Sequence, residues 1–204
     1  MEMNEWTEKL EGFVKAHANA TAGFNAAIGE LQAGRKVGHW VWYIFPQLEG
    51  LGKSSVAQRF ALADADEAWA YVAHPVLGAR LALAFETVDQ HRGTLHDLMA
   101  DPLDTKKLVS SLTLFGYVCQ SHLYGHDALL AARALAVAVA SRRLLLKAAG
   151  EGLPKCLTTL EAMPRTGPCG ACGGQPAPGP AVSSSVAPVS YNSCLDCQLD
   201  NIEG

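Results

Sequence analysis

The sequence predicts an all-α protein: a single helical domain of about six to seven helices over residues 1–163, followed by a disordered C-terminal tail over residues 164–204. Three observations carry this. Apolar residues recur at spacings of three, four and seven through most of the first part. No strand-turn-strand pattern and no long internal repeat interrupts them. After Met163 the composition turns abruptly to Pro, Gly, Ser and Ala, which cannot offset the entropy of ordering by burial.

Taken in order, Trp6, Leu10, Phe13, Val14 and His17 share one helical face, and Phe24, Ala27, Ile28 and Leu31 share a second. Gly34 stands where a glycine ends a helix, with Arg35 and Lys36 after it. The run from His39 to Gln47 has apolar residues in both alternation classes, so its period decides nothing. Pro46 biases Phe45 toward an extended shape, and a short or irregular buried segment is expected. Asp64 and Glu67 have capping-box spacing ahead of Ala68, Trp69 and Val72. Pro75 suits the first turn of a helix running through Leu81 and Phe85 to about Gln90. Thr94 to Ala100 reads as a short helical turn. Asp104 is read as the cap of a helix with Leu108, Leu112, Phe115 and Cys119 in one stripe, which Gly125 breaks. Residues 126–149 form the longest helix, apolar nearly all round at its start, so burial is expected there. Residues 155–162 add a last turn.

Composition limits the function classes. The chain has 204 residues, 49% hydrophobic and 18% charged, with a net charge of −4, so it lacks the basic footprint of a non-specific nucleic-acid binder. Its most apolar stretch, residues 128–146, contains Arg133, Arg142 and Arg143 and is too interrupted to span a bilayer. Glu2, Glu5 and Glu8 occupy the region where a secretory leader needs a basic start, so a cytoplasmic location is expected.

Several rare words occur in a fixed order: Gly34-Arg35-Lys36, His39-Trp40, Trp42, Ile44-Phe45-Pro46-Gln47 and Leu51-Gly52. They continue with Tyr71, His74-Pro75-Val76-Leu77-Gly78-Ala79-Arg80-Leu81, then Asp104, Lys107-Leu108 and Ser110-Ser111-Leu112-Thr113-Leu114-Phe115. This series resembles a bacterial family known only as domain of unknown function 1810, over about residues 8–162. The resemblance implies a mainly helical domain and no particular chemistry. Some members are labelled calpastatin, and no residue pattern here supports protease inhibition. Val109 stands where the family usually carries arginine, and residues 126–155 are richer in alanine than the usual family ending.

Two groups of residues suggest a ligand site. Arg35, Lys36, His39, Trp40, Trp42 and Gln47 put cations beside indoles, a combination suited to an anion with a planar part. His39 is the acid-base candidate in this group, since an imidazole titrates near neutral pH. The plainer reading makes the aromatics core and His39 a polar residue at its edge. Lys107, Ser110 and Ser111 fall within about 100° of arc beside the apolar stripe, where a cation and two hydroxyls suit an anion pocket. The plainer reading is a solvated helix shoulder.

In the tail, Cys169-Gly170-Ala171-Cys172 and Cys194-Leu195-Asp196-Cys197 form two CxxC pairs, which suit four-thiolate zinc. The spacer between them lacks the β-forming residues of a zinc ribbon, so a redox-labile or neutral extension stands beside that reading. No cofactor is expected in the helical part: it holds no HxH, HExxH, GxSxG or phosphate-loop pattern. The resulting expectation is binding of an anionic, nucleotide-like small molecule, with hydrolase activity as its further step. The alternative is a helical protein-interaction module with a metal- or redox-sensitive cysteine tail. The sequence leaves open whether the chain is an enzyme.

Overall fold

Helix α8 (Pro102–Ser121) organises the protein, because every residue from Leu108 to Gly116 is buried. Around it pack α9 (Ala128–Gly150), α5 (Ala65–Ala73), α7 (Leu95–Met99), α10 (Leu157–Ala162) and α3 (Val41–Ile44). Helix α6 (Pro75–Asp89) lies against α9, α5 and α2 (Phe24–Gln32), and α1 (Glu2–His17) meets α2, α3, α5 and α6. A short α4 (Ser55–Arg59) sits between strands β1 (Gln47–Leu48) and β2 (Ala61–Leu62). The structure is a computed structural model and describes residues 2–123 and 126–163, with side chains from residue 6 onward. Ten helices therefore dominate the described residues, and the all-α expectation holds. None of those helices is long and apolar enough to cross a membrane.

The local signals explain most boundaries. Helix α2 ends in a Schellman motif: Arg35 N donates to Glu30 O at 3.1 Å and Gly34 N to Leu31 O at 3.0 Å, with Gly34 at φ +81°. Asp64 accepts from Glu67 N at 2.8 Å, and the Glu67 carboxylate reaches back to Ala63 N at 2.6 Å. That is a capping box displaced by one residue. His74 caps α6 through Nδ1, which accepts from Val76 N and Leu77 N, and Pro75 follows as the first helical residue.

Three expectations change. The cap of α8 is Asp101, whose carboxylate accepts from Leu103 N at 2.7 Å and Asp104 N at 3.0 Å, with Pro102 next. Asp104 is thereby released to a different role inside the first turn. The parallel β1–β2 pair, Gln47 with Ala61 and Leu48 with Leu62, was not foreseen, because two residues are too few to show a period. Helix α9 is buried along one side only. Leu129, Leu135, Val139 and Leu146 are 71%, 52%, 46% and 43% exposed, because α8 and α6 cover the opposite face.

The core is aromatic near α1 and aliphatic toward α9. Phe13 meets Tyr71 and Phe60 edge-on at 5.1 and 5.2 Å, and Phe45 stacks on Phe85 at 5.7 Å. Close approach is required at Gly78, where a Cβ would lie 1.9 Å from Val72 O. The end of α5 arrives there, and the Arg133 guanidinium of α9 donates to Val72 O, Ala73 O and His74 O at 3.1–3.3 Å. The Val72 and Ala73 carbonyls have no partner further along α5, so the cation closes that helix end, whereas His74 O also accepts from Gly78 N at 2.9 Å.

Candidate functional site

The loop from Gly34 to Trp40 is held by one carboxylate. Glu30 Oε2, in the last turn of α2, accepts from Val37 N at 2.6 Å, Gly38 N at 2.8 Å and Trp40 Nε1 at 2.8 Å. Burial works against ionisation of Glu30, but these donors and the charge of Lys36 prevail and hold its carboxyl below the usual range. On the other side Lys36 N donates to Leu98 O at 2.7 Å, which ties the loop to α7.

So anchored, the loop sends Lys36 inward. Its side chain is 6% exposed, and Nζ donates to Gly38 O at 2.6 Å and to Asp104 Oδ2 at 2.6 Å. Lys107, one turn along α8 from Asp104, donates to the other oxygen, Oδ1, at 2.7 Å. Two ammonium groups thus share one carboxylate, with the Glu30 carboxylate acting on Lys36 from the other side of the loop. Burial opposes ionisation of Asp104, and the hydrogen bonds and charges of Lys107 and Lys36 outweigh it, so the carboxyl sits below its ordinary range. Lys107 Nζ lies 4.4 Å from the centre of the half-buried Trp42 ring, and Lys36 Nζ lies 5.1 Å from that of Trp40.

The two sequence groups therefore meet, through Asp104, at Lys36, Lys107 and Trp42. The other candidates are placed differently. Trp40 is fully buried, its ring set edge-on against Phe45 at 6.0 Å, so the indole able to face a ligand is Trp42. Arg35 and His39 are exposed on the loop, and Gln47 is buried in β1. Ser110 and Ser111 line no open pocket. Ser110 Oγ lies 3.1 Å from Thr159 Oγ1 of α10, and Ser111 is wholly buried with no protein partner for its hydroxyl. The docking of α10 over this side of α8 replaces the solvated shoulder with an interior seam.

Glu30 and Asp104 were missed as site residues. In sequence Asp104 has the look of a helix cap, and nothing at Glu30 distinguishes it from any exposed helical glutamate until the loop closes over it. Among the described residues no group of three or more His, Cys, Asp or Glu side chains could hold a metal ion. Cys169, Cys172, Cys194 and Cys197, and the zinc considered for them, lie outside the described residues. Cys119 is buried, and burial pushes its thiol up, away from the reactive thiolate. Two shallow depressions lie elsewhere. One, of about 430 Å³, runs between α6 and α9 past Ala82, Glu86, Leu135 and Val139, and one of about 440 Å³ lies between α1 and Arg59–Phe60.

A family model described as "Protein of unknown function (DUF1810)" matches residues 7–132, a range that contains Glu30, Lys36, Trp42, Asp104 and Lys107. The crystal structure of the conserved hypothetical protein Rv1873 from Mycobacterium tuberculosis is similar to this chain. The two are 35% identical, with a TM-score of 0.59, over 77% of this chain and 97% of that one. A comparison with curated proteins finds no match.

Proposed function

The chain belongs to this DUF1810 family, whose description assigns no reaction, and from the site itself we propose that it binds an anionic, phosphate-bearing small molecule at Lys36 and Lys107 beside Trp42. The supporting observation is the pair of lysines on a single aspartate. An ammonium has three donors. Among the described residues Lys36 directs them to Gly38 O and Asp104, and Lys107 to Asp104. An anion approaching the pair supplies an acceptor for the remaining ammonium donors where water is partly excluded, which strengthens the attraction. The half-buried indole of Trp42, under Lys107, offers the apolar surface that a planar base needs. Hydrolysis is the finer part of the proposal. His39, exposed on the same loop as Lys36, is the group assigned to carry the proton, with Arg35 as an outer cation.

The test is a thermal-shift screen of the full chain against inorganic phosphate, pyrophosphate, nucleoside phosphates and ADP-ribose derivatives. Sodium chloride of matched ionic strength serves as control. A ligand bound only by the folded state at a hundred times its Kd adds about 2.7 kcal/mol, which is several degrees for a chain of this size. The shift is expected to vanish in Lys107→Ala and to persist in Lys53→Ala, a lysine of the α4 approach loop. No shift with any of these compounds, or a shift that Lys107→Ala leaves unchanged, would show that the lysine pair is purely structural. His39→Ala is expected to keep the shift and to abolish turnover of the bound compound.

A further inference from the structure

Gln47 is a buried polar side chain whose hydrogen-bonding capacity the fold leaves unused. It is 9% exposed, and no described residue supplies a partner for its amide. Buried amides in folded proteins are nearly always bonded, and an apolar side chain of like volume would fill this place at less cost. The amide end is not sealed in, since neither its oxygen nor its nitrogen is fully enclosed. A donor and an acceptor therefore stand side by side at an opening, on a strand whose main chain is fixed by pairing with Ala61 of β2.

The strand brings this amide to the helix of the lysine site. Phe45 and Pro46 alone separate Gln47 from α3, which carries Trp42, and both β1 and α3 pack against α8, which carries Asp104 and Lys107. The same side of α8 holds a second unsatisfied group. At about 100° per residue Ser111 falls in direction between Asp104 and Lys107, and its hydroxyl is wholly buried with no protein partner. Polar capacity beyond what the fold consumes thus collects on the side of α8 that bears the lysine pair. Ammonium charge holds a phosphate but does not tell one phosphate compound from another. A fixed amide does, because its donor and acceptor match a ring edge that offers an acceptor and a donor in one plane, as adenine does at N7 and its exocyclic amino group.

Resting on the phosphate-site reading above, we propose that Gln47 determines specificity there, and that the ligand is an adenine nucleotide: its phosphate meets Lys107, its ring lies against Trp42, and its edge pairs with the Gln47 amide. The test is calorimetric titration of the full chain with AMP, IMP and ribose phosphate. In IMP an oxo group replaces the amino donor. A two-point pairing of this kind discriminates by about tenfold or more, so the wild type is expected to bind AMP about tenfold more tightly than IMP. Gln47→Met keeps the length of the side chain and removes both donor and acceptor. It is expected to bind AMP no better than IMP and to bind ribose phosphate as the wild type does, and Gln47→Leu serves the same purpose if the methionine variant does not fold. Equal binding of AMP and IMP by the wild type overturns the proposal and leaves the phosphate site standing, and so does a preference for AMP that survives the change at Gln47. Absence of binding by all of these compounds overturns the phosphate site and this proposal with it.

Discussion

The buried imidazole of His17 makes stability depend on pH below neutrality. His17 is 4% exposed, stacked on Phe24 at 5.7 Å, and Nε2 donates to Tyr43 O at 2.6 Å, while Nδ1 has no protein partner. Burial pushes its pKa down to about 4; the bond to Tyr43 O raises it somewhat and the nearby Arg80 charge lowers it. An unfolded histidine titrates near 6.5. Between these values the unfolded chain binds a proton that the folded chain refuses, so stability falls as pH falls through the window. Integrated from pH 7 to pH 5, the loss is about 2 kcal/mol. Arg80 stays charged and Tyr71, whose phenol burial pushes up, stays neutral throughout, so neither cancels the effect. The carboxylates of Glu30 and Asp104 have lowered values and lose their contributions only at more acidic pH, while His74, also lowered, adds in the same direction. Denaturant unfolding at pH 7 and pH 5 should therefore be compared between the wild type and His17→Gln, which keeps a donor for Tyr43 O. The variant is expected to lose about 2 kcal/mol less than the wild type between the two pH values. Equal losses in both proteins would refute the assignment of the slope to His17.

Two further outcomes follow from single contacts. Gly78→Ala drives a methyl toward Val72 O and the Arg133 stem, and should destabilise the fold by about 1–3 kcal/mol in thermal unfolding, with Ala79→Gly, exposed on the same helix, as the milder control. Glu30→Ala removes the acceptor of three donors, and should cost on the order of 3 kcal/mol and raise hydrogen exchange at Val37 and Gly38 before it does so in α8.

The sequence by itself determined the helical class and most of the helix ends, because these depend on neighbours a few residues apart. Gly34 after Leu31 and Asp64 before Glu67 satisfy backbone groups within one turn, Pro75 after His74 stands where a missing N–H costs nothing, and the folded chain uses all three as expected. It also brought out the two polar groups around Lys36 and Lys107 as residues worth watching. What it could not contain was distance across the chain. Asp104 looked like a cap until Asp101 took that place and left it between two lysines, one of them 68 positions away by chain number. Ser110 and Ser111 looked like a helix shoulder until α10 covered them, and α9 looked buried until its neighbours packed along one side of it only. A helical pattern records which side chains share a face. Which faces meet, and which carboxylate ends up between which cations, is decided by the packing of whole helices, where the energy of each contact depends on partners that no local window contains.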